Sequence, residues 1–424
     1  MFVISSNPVQ SCAVSVPGSK SYTHRVLIAA ALADGTSRVV NALRSEDTEL
    51  TMGALRQMGV PIHCDGEKIE ISGLGGRFAA SVDPIYLGNS GTSMRLLISM
   101  AALGQGEYLL TGTPRMQERP VQALIDSLVQ IGVPARSIHH NGCPPLMVTG
   151  GVVGGGHVTI DCAISSQFLS SLLLMAPLTR NGLDIQVSQG PVSKPYIDLT
   201  ITIMQGFGVQ VARDGYDHFR VAGGQRYRAG DYTVEPDVSN ASYFWAAGAI
   251  TGKAVKVRGI HGDSLQGDVH ILRLFEDMGC QVTEEPDGIT VVGGVLKPIA
   301  TDMGDMPDMV PTIAVVAAYA EGTSCIRNVA HLKAKECDRL AAVIAELKAM
   351  GIKAHSSGEA LYIQGGQPAA AEIETYNDHR IAMSFAVAGL RATGTRIRNP
   401  ACVEKSFPSF WQVFEKLQQP AQTP

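Results

Sequence analysis

Residues 19–40 read SKSYTHRVLIAAALADGTSRVV: a polar cluster, a run of small and apolar residues, a glycine turn and a β-branched stretch. The polar cluster marks a helix start, expected near Ser21, and the stretch after Gly35 a strand. The same order returns at 88–110 (GNSGTSMRLLISMAALGQGEYLL), 165–187 (SSQFLSSLLLMAPLTRNGLDIQV), 238–257 (VSNASYFWAAGAITGKAVKV), 307–328 (PDMVPTIAVVAAYAEGTSCIRN) and 376–399 (YNDHRIAMSFAVAGLRATGTRIRN). The turn glycines, Gly35, Gly106, Gly182, Gly252, Gly322 and Gly394, are spaced 70 to 76 residues apart. A second marker keeps this beat, a helix-like run ending in glycine plus an apolar residue at Gly59, Gly132, Gly208, Gly279 and Gly351, where a helix C-cap belongs.

Each unit therefore predicts helix, strand, helix and one or two further strands, and six units fill almost the whole 424-residue chain. A period of about 70 exceeds the 20 to 47 residues of common solenoids, which favours a closed or layered α/β arrangement of two groups of three. The break is expected in EPDVSNAS, around Glu235 to Asn240, giving one domain of residues 17–235 and another of 1–16 plus 236–424. By pattern alone the first strand, through Val16, can pair with either half. The glycine-rich GGVVGGGHV around Gly154 lacks the Gly-Lys-Ser/Thr ending of a nucleotide loop and is expected to be a hairpin turn.

Apolar residues make up 45% and charged residues 17%, and the net charge of -5 lacks the basic excess of a nucleic-acid binder. The longest apolar runs, Val26 to Ala33 and Ile313 to Ala320, are far short of a membrane span. MFVISSNPVQ has no basic residue and no signal-peptide core, so a cytoplasmic protein is expected. The eight cysteines show no Cys-x-x-Cys spacing, so reduced thiols and no metal are expected.

Few charges are present, and they crowd into the repeat starts, where unpaired N–H groups and the positive end of the helix dipole attract anions. PGSKSYTHR supplies Ser19, Lys20, Ser21 and Arg25; LGNSGTSMR supplies Asn89, Ser90, Gly91, Thr92 and Arg95; AISSQF supplies Ser165, Ser166 and Gln167. ERPVQAL, PVSKPYIDL and HLKAKECDRL add Glu118, Arg119, Ser193, Lys194, Tyr196, His331, Lys333, Lys335, Glu336, Asp338 and Arg339 at the expected starts of second helices. Taken alone, HLKAKECDRL is a solvated helix face with ion pairs one turn apart. GDMPDMVPT, YNDHR and CVEKSFP bring Asp305, Asp308, Asn377, Asp378, His379, Arg380 and Lys405. One such cluster is an ordinary cap; several carrying cations point to a small polyanionic ligand, or two.

Together PGSKSYTHR, LGNSGTSMR, QERP, SSQF, SKPYID, KAKECDRL, YNDHR and KSFP resemble, in order and from Val16 to Pro408, the 5-enolpyruvylshikimate-3-phosphate (EPSP) synthase family of bacterial type. The resemblance implies a two-domain inside-out α/β barrel, enolpyruvyl transferase-like, of six βαβαββ repeats, three per domain, with ligands between the domains. It implies transfer of the enolpyruvyl group of phosphoenolpyruvate to the 5-hydroxyl of shikimate 3-phosphate through a tetrahedral ketal, on the route to chorismate and the aromatic amino acids.

By the same resemblance, shikimate 3-phosphate is held by Lys20, Ser21, Arg25, Ser165, Ser166, Gln167, Ser193, Tyr196, Asp308, His331 and Lys335. Phosphoenolpyruvate lies against Lys20, Gly91, Arg119, Gln167, Arg339, Arg380 and Lys405. Asp308, Glu336 and Lys20 are the acid–base candidates: Asp308 for the hydroxyl proton, the other two for the methyl carbon. No cofactor or metal is implied; glyphosate occupies the phosphoenolpyruvate site, and a monomer without nucleic-acid or membrane partners is expected. Two positions depart from the enterobacterial pattern: His331 stands where that pattern has Asn, and Leu96 where it has Pro, which bears on glyphosate.

The related UDP-N-acetylglucosamine enolpyruvyl transferases share fold and chemistry, but they carry Asn where this chain has Ser21 and commonly a loop cysteine that GTPRMQERP lacks. A non-catalytic clamp for anionic polymers is the other alternative; the net negative charge opposes it.

Overall fold

The computed structural model describes residues 1–66 and 68–419; residue 67 and residues 420–424, the end of the range expected for the second domain, lie outside it. The chain divides into two compact units: an inserted unit, Gly18–Val234, and a flanking unit, Met1–Pro17 with Glu235–Pro424. Each has its own apolar core.

Among the described residues twelve α-helices follow in order: α1 Lys20–Leu32, α2 Glu46–Gln57, α3 Gly91–Leu103, α4 Gln122–Gln130, α5 Gln167–Met175, α6 Pro195–Gly206, α7 Val238–Thr251, α8 Ile271–Asp277, α9 Val310–Ala317, α10 Arg339–Ala349, α11 His379–Gly389 and α12 Phe410–Glu415. The odd-numbered helices through α11 are the small-residue runs of the six repeats. In α3, α7, α9 and α11 almost every side chain is buried, so these helices are enclosed on all sides and show no polar stripe. Helix α1 opens one residue before Ser21, with Ser19 as its cap accepting from Tyr22 N. All six turn glycines and all five glycines that close the second helices have positive φ, the latter between 81° and 95°.

Among the described residues five sheets share one topology: the opening strand lies parallel to the strand that follows the buried helix, and that strand pairs antiparallel with the second strand of a returning hairpin, whose first strand forms the sheet edge. The return strand packs directly on the helix end. A β-carbon at Gly73 would collide with the carbonyl oxygens of Ala30 and Ala33, and one at Gly365 with those of Ala317 and Ala320. This is a third periodic glycine in the sequence.

Two repeats borrow their opening strand. The strand Asp231–Thr233 lies parallel to Asp34–Val40 and completes the first sheet of the inserted unit. In the flanking unit, Cys12–Val14 lies parallel to Val255–Arg258. Asp237 N donates to Pro17 O at 2.8 Å, joining the two segments that flank the insertion. Among the described residues the sixth sheet has three strands: Arg396–Ile397 lies parallel to Glu372–Ile373 and pairs antiparallel with Phe2–Val3. The glycine-rich 151–155 segment is not a hairpin turn: Leu146–Gly150 and Gly156–Asp161 belong to different sheets, so it is a crossover. Among the described residues no helix is long and apolar enough to cross a membrane.

Candidate functional site

In the inserted unit the helix starts are stitched together by buried polar groups. Lys20, at the first position of α1, pairs with Asp47 in the first turn of α2 at 3.2 Å. The carbonyl of Asp47 accepts from Ser93 Oγ (3.2 Å), which also hydrogen-bonds Ser90 Oγ (2.6 Å) and Thr51 Oγ1 (2.7 Å). Gln167, opening α5, donates to Thr92 Oγ1 at 3.0 Å and accepts from Arg95 Nη1 at 2.9 Å. The N-terminal ends of α1, α2, α3 and α5 therefore meet, and their dipoles add a positive field there. Arg119 leaves the short 3-10 turn Met116–Glu118 and donates through Nη1 to Asn89 O (3.0 Å) and Oδ1 (3.1 Å). It rests against Gly91: an ideal β-carbon there would lie 2.7 Å from Arg119 Cζ.

Arg25 is fully buried and, among the described residues, donates to neutral acceptors alone: Thr200 Oγ1 at 2.7 Å, Ser21 O at 2.9 Å and Ser170 Oγ at 3.4 Å. Its guanidinium faces the Tyr196 ring at 5.7 Å. Burial pulls its pKa down to about 10, so it stays protonated at neutral pH. A buried cation hydrogen-bonded only by hydroxyls and a carbonyl is costly unless an anion completes it. Ser165 and Ser166 are buried at the start of α5, where Ser165 Oγ accepts from Gln167 N (3.2 Å). Ser193, also buried, has φ of 56° just before α6, and its carbonyl accepts from Tyr196 N.

In the flanking unit the candidates centre on two arginines. Asp308, in the turn Pro307–Met309 before α9, accepts from Arg339 Nη1 at 2.9 Å and Arg380 Nη2 at 2.8 Å, with Lys335 Nζ at 3.9 Å. Arg339 also donates to Glu336 (2.6 Å) and Asp378 (2.9 Å), so three carboxylates surround one guanidinium that is only 1% exposed. Asp378 caps α11 by accepting from Arg380 N at 2.8 Å. Burial pushes the Asp308 carboxyl up, but Arg380, Lys335 and Arg339 outweigh it and hold the group ionised, well below the usual carboxylate range.

Burial and Lys335 lower the His331 pKa to about 4, which leaves a neutral imidazole. Its Nε2 is buried with no hydrogen-bond partner among the described residues. Lys405 closes the 3-10 turn Pro400–Lys405 and is 4% exposed; the next carbonyl, of Ser406, accepts from Asn240 Nδ2 in α7.

The structure corrects the reading of HLKAKECDRL as a solvated helix face. Residues 330–334 form a 3-10 turn, and α10 begins only at Arg339, where Asp338 caps it by accepting from Ala341 N. The Glu336–Arg339 pair is one turn apart as expected, but it is buried. Lys335 and Glu336 thus sit on a loop, as does Arg119, which precedes α4. Sequence reasoning passed over Asp47, Tyr243, whose hydroxyl accepts from Arg380 Nη1 at 3.5 Å, and Asp268, a buried acid hydrogen-bonded by Ser239. Among the described residues no group of three or more metal-ligating side chains occurs.

A family model described as EPSP synthase (3-phosphoshikimate 1-carboxyvinyltransferase) matches residues 5–414. Proteins named 3-phosphoshikimate 1-carboxyvinyltransferase from Syntrophobacter fumaroxidans and Methanoculleus marisnigri are 44% and 43% identical over 407 and 412 residues. Those alignments cover 95% and 97% of this chain and 96% and 97% of the relatives. A solved EPSP synthase from Acinetobacter baumannii superposes with a TM-score of 0.81 at 30% identity, covering 98% of this chain and 97% of that one.

Proposed function

We propose residue roles for a chain that belongs to the EPSP synthase family and has its two-domain inside-out α/β fold. It is a 3-phosphoshikimate 1-carboxyvinyltransferase of aromatic amino acid biosynthesis, with phosphoenolpyruvate and shikimate 3-phosphate as small-molecule substrates. The UDP-sugar and polymer-clamp alternatives find no support among these relatives.

Shikimate 3-phosphate is assigned to Lys20, Ser21, Arg25, Ser165, Ser166, Gln167, Ser193, Tyr196, Asp308, His331 and Lys335. The observation that carries this assignment is Arg25, whose buried charge has only neutral partners and is completed by a phosphate. Neutral His331 suits a hydroxyl of the ring. Phosphoenolpyruvate is assigned to Lys20, Gly91, Arg119, Gln167, Arg339, Arg380 and Lys405, cations and helix ends that match its phosphate and carboxylate.

In the reaction the 5-hydroxyl oxygen bonds to C2 of phosphoenolpyruvate, its proton passes to Asp308, and the methylene carbon takes a proton to become methyl. The ketal then loses that methyl proton and phosphate. Glu336 and Lys20 are the groups assigned to deliver and remove the proton at carbon. Asp308 is ionised, as an acceptor must be, and anionic substrates on Arg339, Arg380 and Lys335 weaken those cations' hold on it. The same cations stabilise the departing phosphate. Glyphosate is assigned to the phosphoenolpyruvate site. All eight cysteines are free of disulfides, which fits the reducing cytoplasm assigned to this enzyme; a monomer is assigned by family resemblance alone.

The test is phosphate release on mixing the protein with both substrates, with the enol ether product identified by proton NMR. Phosphate release that does not depend on shikimate 3-phosphate would overturn the assignment.

A further inference from the structure

Tyr376 and Asn377, in the YNDHR motif, are consecutive residues in the left-handed region, with φ of 53° and 54°. Asparagine visits that region readily, but a bulky tyrosine there is an outlier that persists only where its surroundings hold it. At the turns that close its repeats this chain places glycine at positive φ. A turn that served the backbone alone would be better served by glycine, so these two side chains need a reason of their own.

Their contacts supply one. The Tyr376 hydroxyl donates to Glu346 Oε1 at 2.8 Å, and Glu374 N donates to the other oxygen of that carboxylate at 3.1 Å. Glu346 is 4% exposed and lies two turns after Arg339 on the same face of α10, about 10 Å further along the axis. Arg339 Nε donates to Asp378 Oδ2 at 2.9 Å. Residues 374–378 are thus fastened to α10 at two points, through Glu346 and through Arg339.

The same segment reaches two further elements. Asn377 Oδ1 accepts from Asn399 Nδ2 at 3.0 Å, and Asn399 immediately precedes the turn Pro400–Lys405 that ends in Lys405. Asp378 N closes the left-handed turn on Thr375 O at 2.8 Å, and Asp378 Oδ1 accepts from Arg380 N. One five-residue segment therefore touches the elements that carry Arg339, Arg380 and Lys405, which are the phosphoenolpyruvate cations assigned in the flanking unit.

Resting on that assignment, we propose that Tyr376 and Asn377 are positioning residues for phosphoenolpyruvate, with Glu346 as their anchor. Their side chains pin the left-handed turn to α10 and to the Pro400–Lys405 turn, and so set the spacing of the three cations. Releasing either contact lets the cations drift from the geometry that matches one phosphate and one carboxylate. Phosphoenolpyruvate then binds less well, while shikimate 3-phosphate, most of whose assigned ligands lie in the inserted unit, is little affected.

The experiment measures KM for each substrate and melting temperature in Tyr376→Phe, Asn377→Gly, Glu346→Leu and Glu346→Gln. Tyr376→Phe loses one hydroxyl at a partly exposed position, so its melting temperature falls by no more than a few degrees. Asn377→Gly adopts the left-handed conformation without strain and should melt close to wild type. Both are expected to raise KM for phosphoenolpyruvate about fivefold or more, with KM for shikimate 3-phosphate within about twofold. Glu346→Leu should behave as Tyr376→Phe does. Glu346→Gln can accept from Glu374 N while donating to the Tyr376 oxygen, and should restore KM to within about twofold of wild type.

An unchanged KM for phosphoenolpyruvate in Tyr376→Phe or Asn377→Gly overturns the proposal, as does a rise in both KM values that tracks a loss of melting temperature. Arg380→Ala separates the two levels. If it raises KM for phosphoenolpyruvate while the turn variants do not, this proposal alone falls; if it leaves that KM unchanged, the underlying assignment falls too.

Discussion

Gly91 and Arg119 are in direct apposition: a β-carbon on the glycine would fall 2.7 Å from Arg119 Cζ, inside any permissible contact. Arg119 is 3% exposed and anchored on Asn89, so it can yield only by leaving its hydrogen bonds. Gly91→Ala is expected to raise KM for phosphoenolpyruvate by about tenfold or more with little change in KM for shikimate 3-phosphate, since displacement of about 1 Å in a positioning group costs up to 10². Glyphosate should compete with phosphoenolpyruvate in the wild type at millimolar concentration and compete less well in the variant. Steady-state inhibition series decide this; an unchanged KM would show that Arg119 does not touch that substrate.

Lys20→Met removes an ammonium assigned to both substrates, and turnover should fall by about 10² or more. It also removes the ammonium 3.2 Å from the buried Asp47 carboxylate, at an expected cost of about 1 to 3 kcal/mol. The double variant Lys20→Met/Asp47→Asn should recover melting temperature without recovering turnover. Recovery of both would reduce Lys20 to a structural role.

His331 is neutral because its pKa is lowered to about 4 in the fold. An unfolded histidine protonates near 6.5. Its contribution to stability is therefore complete above about 6.5 and lost as pH falls toward 4. Melting curves of wild type and His331→Asn should diverge over that window, the variant losing less. Parallel curves would mean that the imidazole titrates in the folded protein as it does in the unfolded chain.

Cys337 donates to Asp378 Oδ2 at 3.6 Å, and burial with the Asp378 charge raises its thiol well above the ordinary range. It is thus no thiolate nucleophile. Cys337→Ser, whose hydroxyl can donate in the same place, should keep turnover within about threefold of wild type. A folded but inactive variant would reopen covalent chemistry.

The periodic part of the fold was legible because each repeat solves the same local problem. A polar cluster opens each buried helix and a positive-φ glycine turns the chain after it, and both leave residues at fixed intervals. Pairings between distant segments leave no such trace: nothing in Asp231–Thr233 or Cys12–Val14 announces that each completes a sheet begun elsewhere in the chain. The candidate site divides the same way. Lys20, Gly91, Gln167 and Arg380 stand at helix starts and repeat with them, whereas Asp47 and Asp268 are single acids whose partners are 27 and 29 residues away. In HLKAKECDRL the charge pattern suggested a surface helix. The Asp338 cap was the better guide, because a helix opening at Arg339 leaves Lys335 and Glu336 on a loop beside Asp308.

Asp308 as proton acceptor is tested by the turnover of Asp308→Asn, measured as phosphate released from phosphoenolpyruvate in the presence of shikimate 3-phosphate at pH 7.5, on protein shown to be folded by circular dichroism. The amide keeps the shape and an acceptor for Arg339 and Arg380 but cannot take a proton. If Asp308 takes the hydroxyl proton, kcat falls by about 10² to 10⁴ with shikimate 3-phosphate still bound; a kcat within about threefold of wild type would remove Asp308 from that role.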